Sequence, residues 1–297
     1  MPYIIAQKGK TCREGPSAAF HPVRGRSTTG QDPVFLASGD SKPMLRRIAE
    51  RLSRGRSFRY RLPQAYGGAQ MYLSPECGLR YWLAPFGERP CESLLINAAE
   101  TVKPGSVVWD VGANMGLFSF ASAGLAGADG RVYAFEPDAV LGRLLRRSSR
   151  LNPQAAPVDV IPCAISDTVS LARFHVAQRS RAANYLDGFG STQTGGVRES
   201  EIVLTASLDW MAERIPPPDV IKIDVEGAES NVFRGAAQLL KTKRPILVFE
   251  MWHEHWDELS RLLWDLGYVL YDADLPAGQR RPLTKTTPAF NTLAVPA

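Results

Sequence analysis

Cysteine is scarce in this sequence. The 297 residues include four cysteines, at positions 12, 77, 91 and 163, and none of them forms a C-x-x-C pair. Disulfide-rich scaffolds and zinc knuckles need several cysteines at short, defined spacings. Both classes of protein are therefore excluded, and we expect the four side chains to be reduced thiols.

Long apolar runs are absent as well. No stretch approaches the roughly 18 to 20 apolar residues of a membrane-spanning helix, and the N-terminus lacks the apolar core of about 7 to 15 residues of a secretory signal. Hydrophobic residues make up 44% and charged residues 22% of the chain, which excludes wholesale disorder and a coiled coil. No internal repeat of about 20 to 50 residues is visible, which argues against a solenoid or propeller. We expect a cytoplasmic, globular protein without a membrane span.

Positive charge is concentrated at the start of the chain. Residues 1–62 carry 13 basic and 4 acidic side chains, whereas the remaining residues carry 22 basic and 26 acidic ones. Residues 1–43 are rich in Gly, Ser and Pro with scattered Arg, which predicts a disordered basic extension. Such a tail could bind nucleic acid, but its composition favours a solvated extension. The helical spacing of MLRRIAERL (44–52) predicts a helical lead-in over 44–104.

From about residue 105, β-rich runs alternate with helical patterns. The predicted strands are VVWDV (107–111), RVYAFE (131–136), VDVIP (158–162), DVIKID (219–224), PILVFE (245–250), YVLYD (268–272) and NTLAV (291–295). Helices are predicted near 115–127, 138–151, 228–240 and 255–265. Such alternation produces a parallel sheet covered on both faces. The sequence therefore predicts a doubly wound α/β domain over 105–297, with its ligand at the carboxyl ends of the strands.

A long insertion separates the third and fourth predicted strands. Strand-like runs at 171–177 and 201–205 flank a segment rich in Gly, Ser, Thr and Asn. A connection of this length is a mobile lid, a disordered tip or a variable surface hairpin. We predict a lid-like insertion near 168–206, and the sequence leaves open whether it contributes to substrate binding.

The turn after the first predicted strand reads G-A-N-M-G from Gly112 to Gly116. Missing Cβ atoms let a ligand approach the backbone, but the glycines do not match the G-x-G-x-x-G of dinucleotide sites. A sulfonium cofactor has an ammonium that needs a carboxylate and a ribose that needs hydrogen-bond acceptors. Asp110 suits the ammonium. Glu136 ends the second predicted strand, close to the spacing at which an acidic residue binds ribose hydroxyls.

Several motifs together resemble a known family. They are VVWDVGANMGLFSF (107–120), VYAFEPD (132–138), CAISD (163–167), IKIDVEGAE (221–229) and VFE (248–250). Their order is similar to that of the FkbM family of S-adenosylmethionine-dependent methyltransferases, over roughly residues 90–295. The resemblance implies a class I, Rossmann-like sheet of seven mostly parallel strands and S-adenosylmethionine as cofactor. It also implies methyl transfer to an oxygen of a sugar or secondary metabolite.

The resemblance also implies a set of cofactor-binding residues. These are Asp110, Gly112, Ala113, Asn114, Gly116, Glu136, Ser166 and Asp167. Related methyltransferases place an acidic side chain such as Asp167 against the adenine amino group. The alternative for Asp167 is an ordinary turn aspartate that bonds its own backbone.

Two carboxylates and an ammonium lie at the end of the fourth predicted strand. Lys222 and Asp224 share one face by the two-residue period, and Glu226 follows the strand end. Methyl transfer requires that the acceptor be oriented and lose a proton, so Asp224 or Glu226 is the candidate base. The alternative is a structural pair between Lys222 and Asp224, with Glu226 at a helix N-terminus.

A second candidate base follows the fifth predicted strand. The segment EMWHEHWDE (250–258) contains His253 and His255, and an imidazole titrates near neutral pH. We name His253 as the candidate. In a helix, residues at i and i+2 point about 200° apart, so the two imidazoles cannot face one ion, and we predict no metal site.

Three other functions are compatible with parts of the sequence. A Rossmann-type NAD(P)-dependent oxidoreductase or epimerase would need the missing glycine spacing and a Y-x-x-x-K pair. A nucleic-acid methyltransferase that uses the basic tail would need N-P-P-[YF] or D-P-P-[YF] in place of I-D-V-E-G. A non-catalytic cofactor-binding protein could have the same residues. The leading prediction is an O-methyltransferase with a small-molecule or glycan acceptor, of open oligomeric state.

Overall fold

A computed structural model describes residues 48–82, 91–190 and 194–297. The predicted basic extension over 1–43 lies outside the described residues. The start of the predicted amphipathic helix also lies outside them, and residues 48–53 are helical. Within the described ranges, no helix has the length and apolar character needed to cross a membrane.

Strands and helices alternate from residue 107 onward, as predicted. The strands are β1 (Phe58–Arg61), β2 (Gln70–Leu73), β3 (Val107–Val111), β4 (Arg131–Phe135), β5 (Val158–Ile161), β6 (Ala164–Ile165), β7 (Ser170–Ala177), β8 (Tyr185–Leu186), β9 (Val197–Ala206), β10 (Val220–Ile223), β11 (Ile246–Glu250), β12 (Tyr268–Asp272) and β13 (Asn291–Pro296). The helices are α1 (Glu92–Thr101), α2 (Leu117–Ala126), α3 (Ala139–Ser149), α4 (Leu208–Ala212), α5 (Glu229–Arg234), α6 (Ala237–Thr242) and α7 (Trp256–Asp265).

The main sheet has seven strands in the order β12-β13-β11-β10-β3-β4-β5. β13 is antiparallel to both of its neighbours, and the pairs from β11 to β5 are parallel. This arrangement confirms the predicted doubly wound, mostly parallel sheet of the class I methyltransferase fold. The chain builds outward from β3 to β5 on one side and from β10 to β11 on the other. The order therefore reverses between β3 and β10, where α/β sheets bind their ligands.

Helices cover both faces of the central strands. Val108 of β3 packs on one face with Phe120 of α2. Trp109, the next residue, packs on the other face against Phe135, with ring centroids 5.6 Å apart. The indole of Trp109 donates to Pro216 O at 3.1 Å. The near-continuous apolar run of β3 follows from this two-sided burial.

The segment 44–104, predicted as a helical lead-in, is only partly helical. It contains α1, but β1 and β2 form an antiparallel hairpin, which the prediction missed. Side chains near the end of α3 hold the free edge of β2. Ser148 Oγ accepts from Tyr72 N at 2.9 Å, and Asn152 exchanges two hydrogen bonds with the backbone of Gln70. The backbone groups at this edge of β2 are hydrogen-bonded by side chains of a distant segment. Such a strand cannot be recognised from its own short sequence.

The insertion between β5 and β10 forms a second sheet, in the order β6-β9-β7-β8. β7 and β9 make a long antiparallel hairpin with an irregularity between Val176 and Ala177. Its inner face buries a small apolar cluster that includes Phe174, Leu186 and Val203. The described part of the predicted lid-like insertion therefore contains a small sheet with its own apolar cluster, joined by turns and a short 3-10 helix.

Candidate active site

A cleft opens at the carboxyl ends of β3, β4 and β10, and we call it the central cleft. The main sheet and the loops after its strands contribute Gly112, Asn114, Phe135, Glu136, Pro137, Cys163, Asp224, Val225 and Glu226, and β6 of the second sheet contributes Ala164 and Ile165. The insertion contributes Phe174, Arg181, Ala182, Asn184, Tyr185 and Leu186. The structure thus brings Gly112, Asn114, Glu136, Asp224 and Glu226 together, as the sequence predicts for residues that follow parallel strands.

The glycine turn lets two backbone segments touch. Gly112 has φ +70°, and a Cβ there would lie 1.9 Å from the carbonyl oxygen of Asp224. Gly116 has φ +95° and precedes α2, where a Cβ would meet Leu145 and Phe120. Gly112 therefore shapes the central cleft. Gly116 permits close packing instead, and Ala113 between them is buried.

Glu136 is fixed at the wall of the central cleft. Its side chain is 5% exposed. One carboxylate oxygen accepts from Asn114 N at 2.7 Å and the other from Asp138 N at 2.8 Å. Burial raises the pKa of Glu136 to about 8, against the opposing effect of these backbone donors. Asn114 itself has φ +54°, which directs its N–H toward Glu136.

Asp110 lies beneath the glycine turn, in the interior of the sheet. Its carboxylate is 0% exposed, accepts from Ser119 Oγ at 2.5 Å and lies 3.3 Å from Lys222 Nζ. Because these groups enclose it, Asp110 is not among the residues that line the central cleft, and its contact with an ammonium stays a prediction. The two-residue strand period that puts Asp110 on one face of β3 points it at Lys222 of the neighbouring strand.

Lys222 joins three groups beneath the central cleft. Its ammonium donates to Gly112 O at 2.6 Å and lies 3.3 Å from Asp110 and 3.4 Å from Asp224. Burial lowers the pKa of Lys222, but the two carboxylates outweigh it and hold the pKa above its ordinary value. Lys222 thus forms the ion pair with Asp224 that the sequence suggested, and it forms a second one with the more deeply buried Asp110. Asp224 remains 34% exposed.

Glu226 lines the central cleft and does not cap a helix. It has φ +55°. Its pKa is raised to about 8, mainly by burial and to a smaller extent by the nearby Asp224 and Glu229 carboxylates. The role suggested for Glu226 at a helix start belongs to Glu229, the first residue of α5. The Glu229 carboxylate accepts from the N–H groups of Val225 and Gly227, each at 3.2 Å.

Ser166 and Asp167 are not among the residues that line the central cleft, and their contact with the cofactor stays a prediction. The wall is formed by the residues before them, of which Ala164 and Ile165 make up β6. β6 pairs with β9, and this turns the following residues away from the main sheet. Asp167 accepts from Ser166 Oγ at 3.2 Å and lies 4.0 Å from Arg234.

His253 is also separated from the central cleft. It is exposed and lines a different surface depression with Trp256, Lys285 and Pro288. The backbone explains this placement, because Met251 is buried and its N–H donates to Phe290 O at 2.7 Å. The structure therefore does not bring His253 to the residues of the central cleft, and its role as a second candidate base stays a prediction. Across the described residues, no group of three or more His, Cys, Asp or Glu side chains is arranged to hold a metal ion.

A second cavity, which we call the side cavity, lies on the other side of Asp224. Its volume is about 260 Å³. It is lined by Cys91, Ser93, Leu94, Asn97, Lys222, Ile223, Asp224, Val248, Phe249, Glu250 and Asn291. Sequence reasoning did not assign Glu250 to the site, although it ends β11. Burial, together with the Asp224 and Glu226 carboxylates, raises the pKa of Glu250.

Comparison with known proteins agrees with this architecture. A family model described as the methyltransferase FkbM domain matches residues 110–270. The hexuronic acid methyltransferase AglP from Haloferax volcanii is 32% identical over 165 residues, which are 54% of this chain and 62% of that protein. The chain therefore spans less than two thirds of that relative.

Two solved structures are similar in outline. The methyltransferase FkbM from Methylobacillus flagellatus has 16% identity and a TM-score of 0.42, covering 68% of this chain and 52% of that one. A SAM-dependent O-methyltransferase from Thermotoga maritima has 14% identity and a TM-score of 0.41, covering 77% and 74%. The family model, in contrast, accounts for more than half of this sequence, from Asp110 in β3 to Leu270 in β12, and the chain therefore belongs to the FkbM family of methyltransferases.

Proposed function

We propose that this methyltransferase transfers a methyl group from S-adenosylmethionine to a hydroxyl oxygen of a sugar or a similar small molecule. The observation that carries the proposal is the set of Gly112, Asn114 and Glu136 around one cleft at the switch point of the sheet. The name of the H. volcanii relative, a hexuronic acid methyltransferase, supports a sugar as the class of acceptor. The carboxylates of Asp224 and Glu226 support an oxygen as the methylated atom, because a hydroxyl must lose a proton.

The chemistry of the central cleft fits this cofactor. Asn114 Oδ1 is buried and has no hydrogen-bond partner among the described residues. The Glu136 carboxylate next to it is a further acceptor. Ribose hydroxyls and an ammonium are donors, so Glu136 and Asn114 would hold the ribose and the amino-acid end. Ala164 and Ile165 offer an apolar surface for the adenine ring.

The residues of this chain have separable tasks in the proposed reaction. When bound, the cofactor supplies a methyl group on a positively charged sulfur. We place Asp224 at the acceptor oxygen, because it lines both the central cleft and the side cavity. Lys222 holds the Asp224 carboxylate in position from 3.4 Å. Glu226, with a pKa of about 8, is able to receive a proton near neutral pH.

Parallel calorimetric titrations with S-adenosylhomocysteine and NAD test the choice of cofactor. We expect S-adenosylhomocysteine to bind and NAD not to bind. Release of S-adenosylhomocysteine in the presence of methyl glycosides and other hydroxylated metabolites then tests the acceptor class. The position of the new methyl group is read by NMR. Binding of NAD alone, or a methyl group on nitrogen or carbon, would contradict the proposal.

A further inference from the structure

The side cavity and the central cleft meet at Asp224. Asp224 is the residue that lines both spaces, and its side chain is partly exposed. In a direct methyl transfer, donor and acceptor atoms must lie roughly 3 to 3.5 Å apart in line. A donor in the central cleft therefore needs an acceptor site that adjoins it. The side cavity has this position, and nothing in the sequence motifs had singled it out.

The hydrogen bonds around the side cavity fix the orientation of two amides. Arg280, which has only donors, contacts Asn97 Oδ1 at 3.1 Å. The Asn97 Nδ2 group is therefore the donor left for other partners. Asp274, which accepts when ionised, contacts Asn291 Nδ2 at 2.8 Å, so Asn291 Oδ1 is the acceptor left. The two amides offer one donor and one acceptor from opposite elements, α1 and β13.

Glu250 adds a carboxyl group with no partner. It makes no hydrogen bond or ion pair with any residue in the described ranges, and it lines the same cavity as Asp224. Burial beside other carboxylates raises the pKa of Glu250 against the opposing effect of the Lys222 ammonium, and the carboxyl group has no hydrogen-bonding contact in the described part of the free protein. A ligand that brings hydroxyl groups would supply that contact, because a hydroxyl both donates and accepts.

Size and polarity limit the ligand further. A volume of about 260 Å³ is slightly below the usual range of about 300 to 1,000 Å³ for small-molecule sites, which suits one ring rather than a long chain. Leu94, Val248 and Phe249 supply an apolar wall. The polar groups already described alternate with it. Such a mixture matches a ring that has C–H faces and several hydroxyl groups.

We propose that the side cavity is the acceptor site and takes one polyhydroxylated ring, such as a single sugar residue. One hydroxyl meets Asp224, and a second lies among Glu250 and the free amide groups of Asn97 and Asn291. This assignment rests on the proposed function. Neutral hexoses and hexuronic acids share the hydroxyl pattern, and the experiment distinguishes these two sources.

Two matched pairs of variants test the site. Ser93 is exposed at the start of α1 and lines the side cavity, whereas Ile96 is exposed on α1 outside it. We expect Ser93→Trp to lower turnover at least about tenfold by filling the cavity, and Ile96→Trp to leave it unchanged. Glu250→Gln should raise the acceptor KM several-fold, with the exposed Glu254→Gln as its control. Neither pair should change the affinity for S-adenosylhomocysteine.

The probes are methyl hexosides, their 2-, 3-, 4- and 6-deoxy analogues, and the corresponding methyl hexuronosides. The proposal with a neutral sugar is supported if two changes each lower the turnover of a methyl hexoside. One is the Ser93→Trp substitution, and the other is removal from the probe of a hydroxyl other than the one that is methylated. The same pattern with a hexuronoside supports it with an acidic sugar. If S-adenosylhomocysteine binds but no probe is methylated, or if Ser93→Trp is as active as Ile96→Trp, the side cavity is not a sugar site. If S-adenosylhomocysteine does not bind at all, the proposed function itself fails.

Discussion

At the scale of single residues, the Glu136 carboxylate should determine cofactor affinity. We expect Glu136→Gln to weaken S-adenosylhomocysteine binding about tenfold or more, because it replaces a buried acceptor oxygen with an amide donor, and a buried polar group left without a partner costs about 1 to 3 kcal/mol. Calorimetry measures this change. Asp159→Asn is the control, because Asp159 of β5 forms an exposed ion pair with Arg131 of β4. Equal affinity in wild type and Glu136→Gln would remove Glu136 from the cofactor site.

The two carboxylates beside Lys222 should respond differently to neutralisation. Asp110→Asn removes the partner that is wholly buried, and we expect a loss of about 3 to 5 kcal/mol in the free energy of unfolding. Asp224→Asn leaves Lys222 with Asp110, so its loss of stability should be clearly smaller. Turnover of Asp224→Asn should nevertheless fall by about 10² to 10⁴, as for a positioned base. Urea unfolding and product release separate the two effects, and an active, unstable Asp224→Asn would contradict this assignment.

The raised pKa of Glu226 predicts a pH-dependent stability. Its pKa is about 8 in the folded chain against an ordinary value of 4.5. Between these two pH values the folded state therefore binds more protons than the unfolded state. The free energy of unfolding should therefore fall as the pH rises from 4.5 through 8. Glu226→Gln cannot ionise, and its melting temperature should gain on wild type between pH 6 and 8.5. A constant difference across this range would show that Glu226 does not titrate there.

At the scale of elements, the insertion is joined to the main sheet through Arg181. This guanidinium is buried and pairs with Glu76 at 2.7 Å, with Asp138, and with Glu199 at 3.2 Å. Asp138 is also the residue whose side chain caps α3. The insertion is therefore fastened at the start of the helix that follows Glu136, and the same Arg181 lines the central cleft.

Removal of Arg181 should loosen the insertion and the cofactor site together. Arg181→Met leaves the buried Asp138 without its ion-pair partner and Glu76 with Arg198 alone, and we expect a loss of about 3 to 5 kcal/mol in the free energy of unfolding. S-adenosylhomocysteine should bind more weakly, since the insertion forms one wall of the central cleft. Arg173→Met, on the exposed side of β7, should change stability by no more than about 0.5 kcal/mol. Thermal unfolding and calorimetry on both variants provide the measurement.

The bounds of a strand could be predicted where the strand is buried on both faces, because such a strand has a continuous run of apolar residues. The strands of the main sheet fall within a residue or two of their predicted bounds for this reason. The predicted helix over 228–240 is divided into α5 and α6, and at the division Gly235 lies so close to another segment that a Cβ there would be 2.3 Å from Ser166 O. That contact joins residues far apart in the chain. Local periodicity does not report a contact of this kind.

The candidate site was predictable to the same extent. Strand ends identified Gly112, Glu136 and Asp224 as neighbours in space. Asp110 faces Lys222 because β3 and β10 are paired in a register that places these two residues side by side. The sequence of β3 alone does not contain this register. Asn97 and Asn291 belong to α1 and β13, which enclose the side cavity from opposite ends of the described chain. No motif connects such residues.

At the scale of the whole molecule, the basic N-terminal residues are predicted from composition to be separable from the fold. We expect removal of residues 1–43 to change the melting temperature by less than about 2 °C, because the segment has too few apolar residues to form a core. S-adenosylhomocysteine affinity should be retained. A larger shift in scanning calorimetry would show that these residues dock on the methyltransferase domain.

The position of β13 imposes an order on biosynthesis. β13 follows β12 in the chain but lies between β11 and β12 in the sheet, and within the described strands β12 pairs with β13. While a ribosome is still translating the loop between them, β12 has no edge to join, although β3, β4, β5, β10 and β11 can already assemble. A nascent chain halted before Asn291 would thus hold a complete central cleft, and the far wall of the side cavity would close after the central strands are in place.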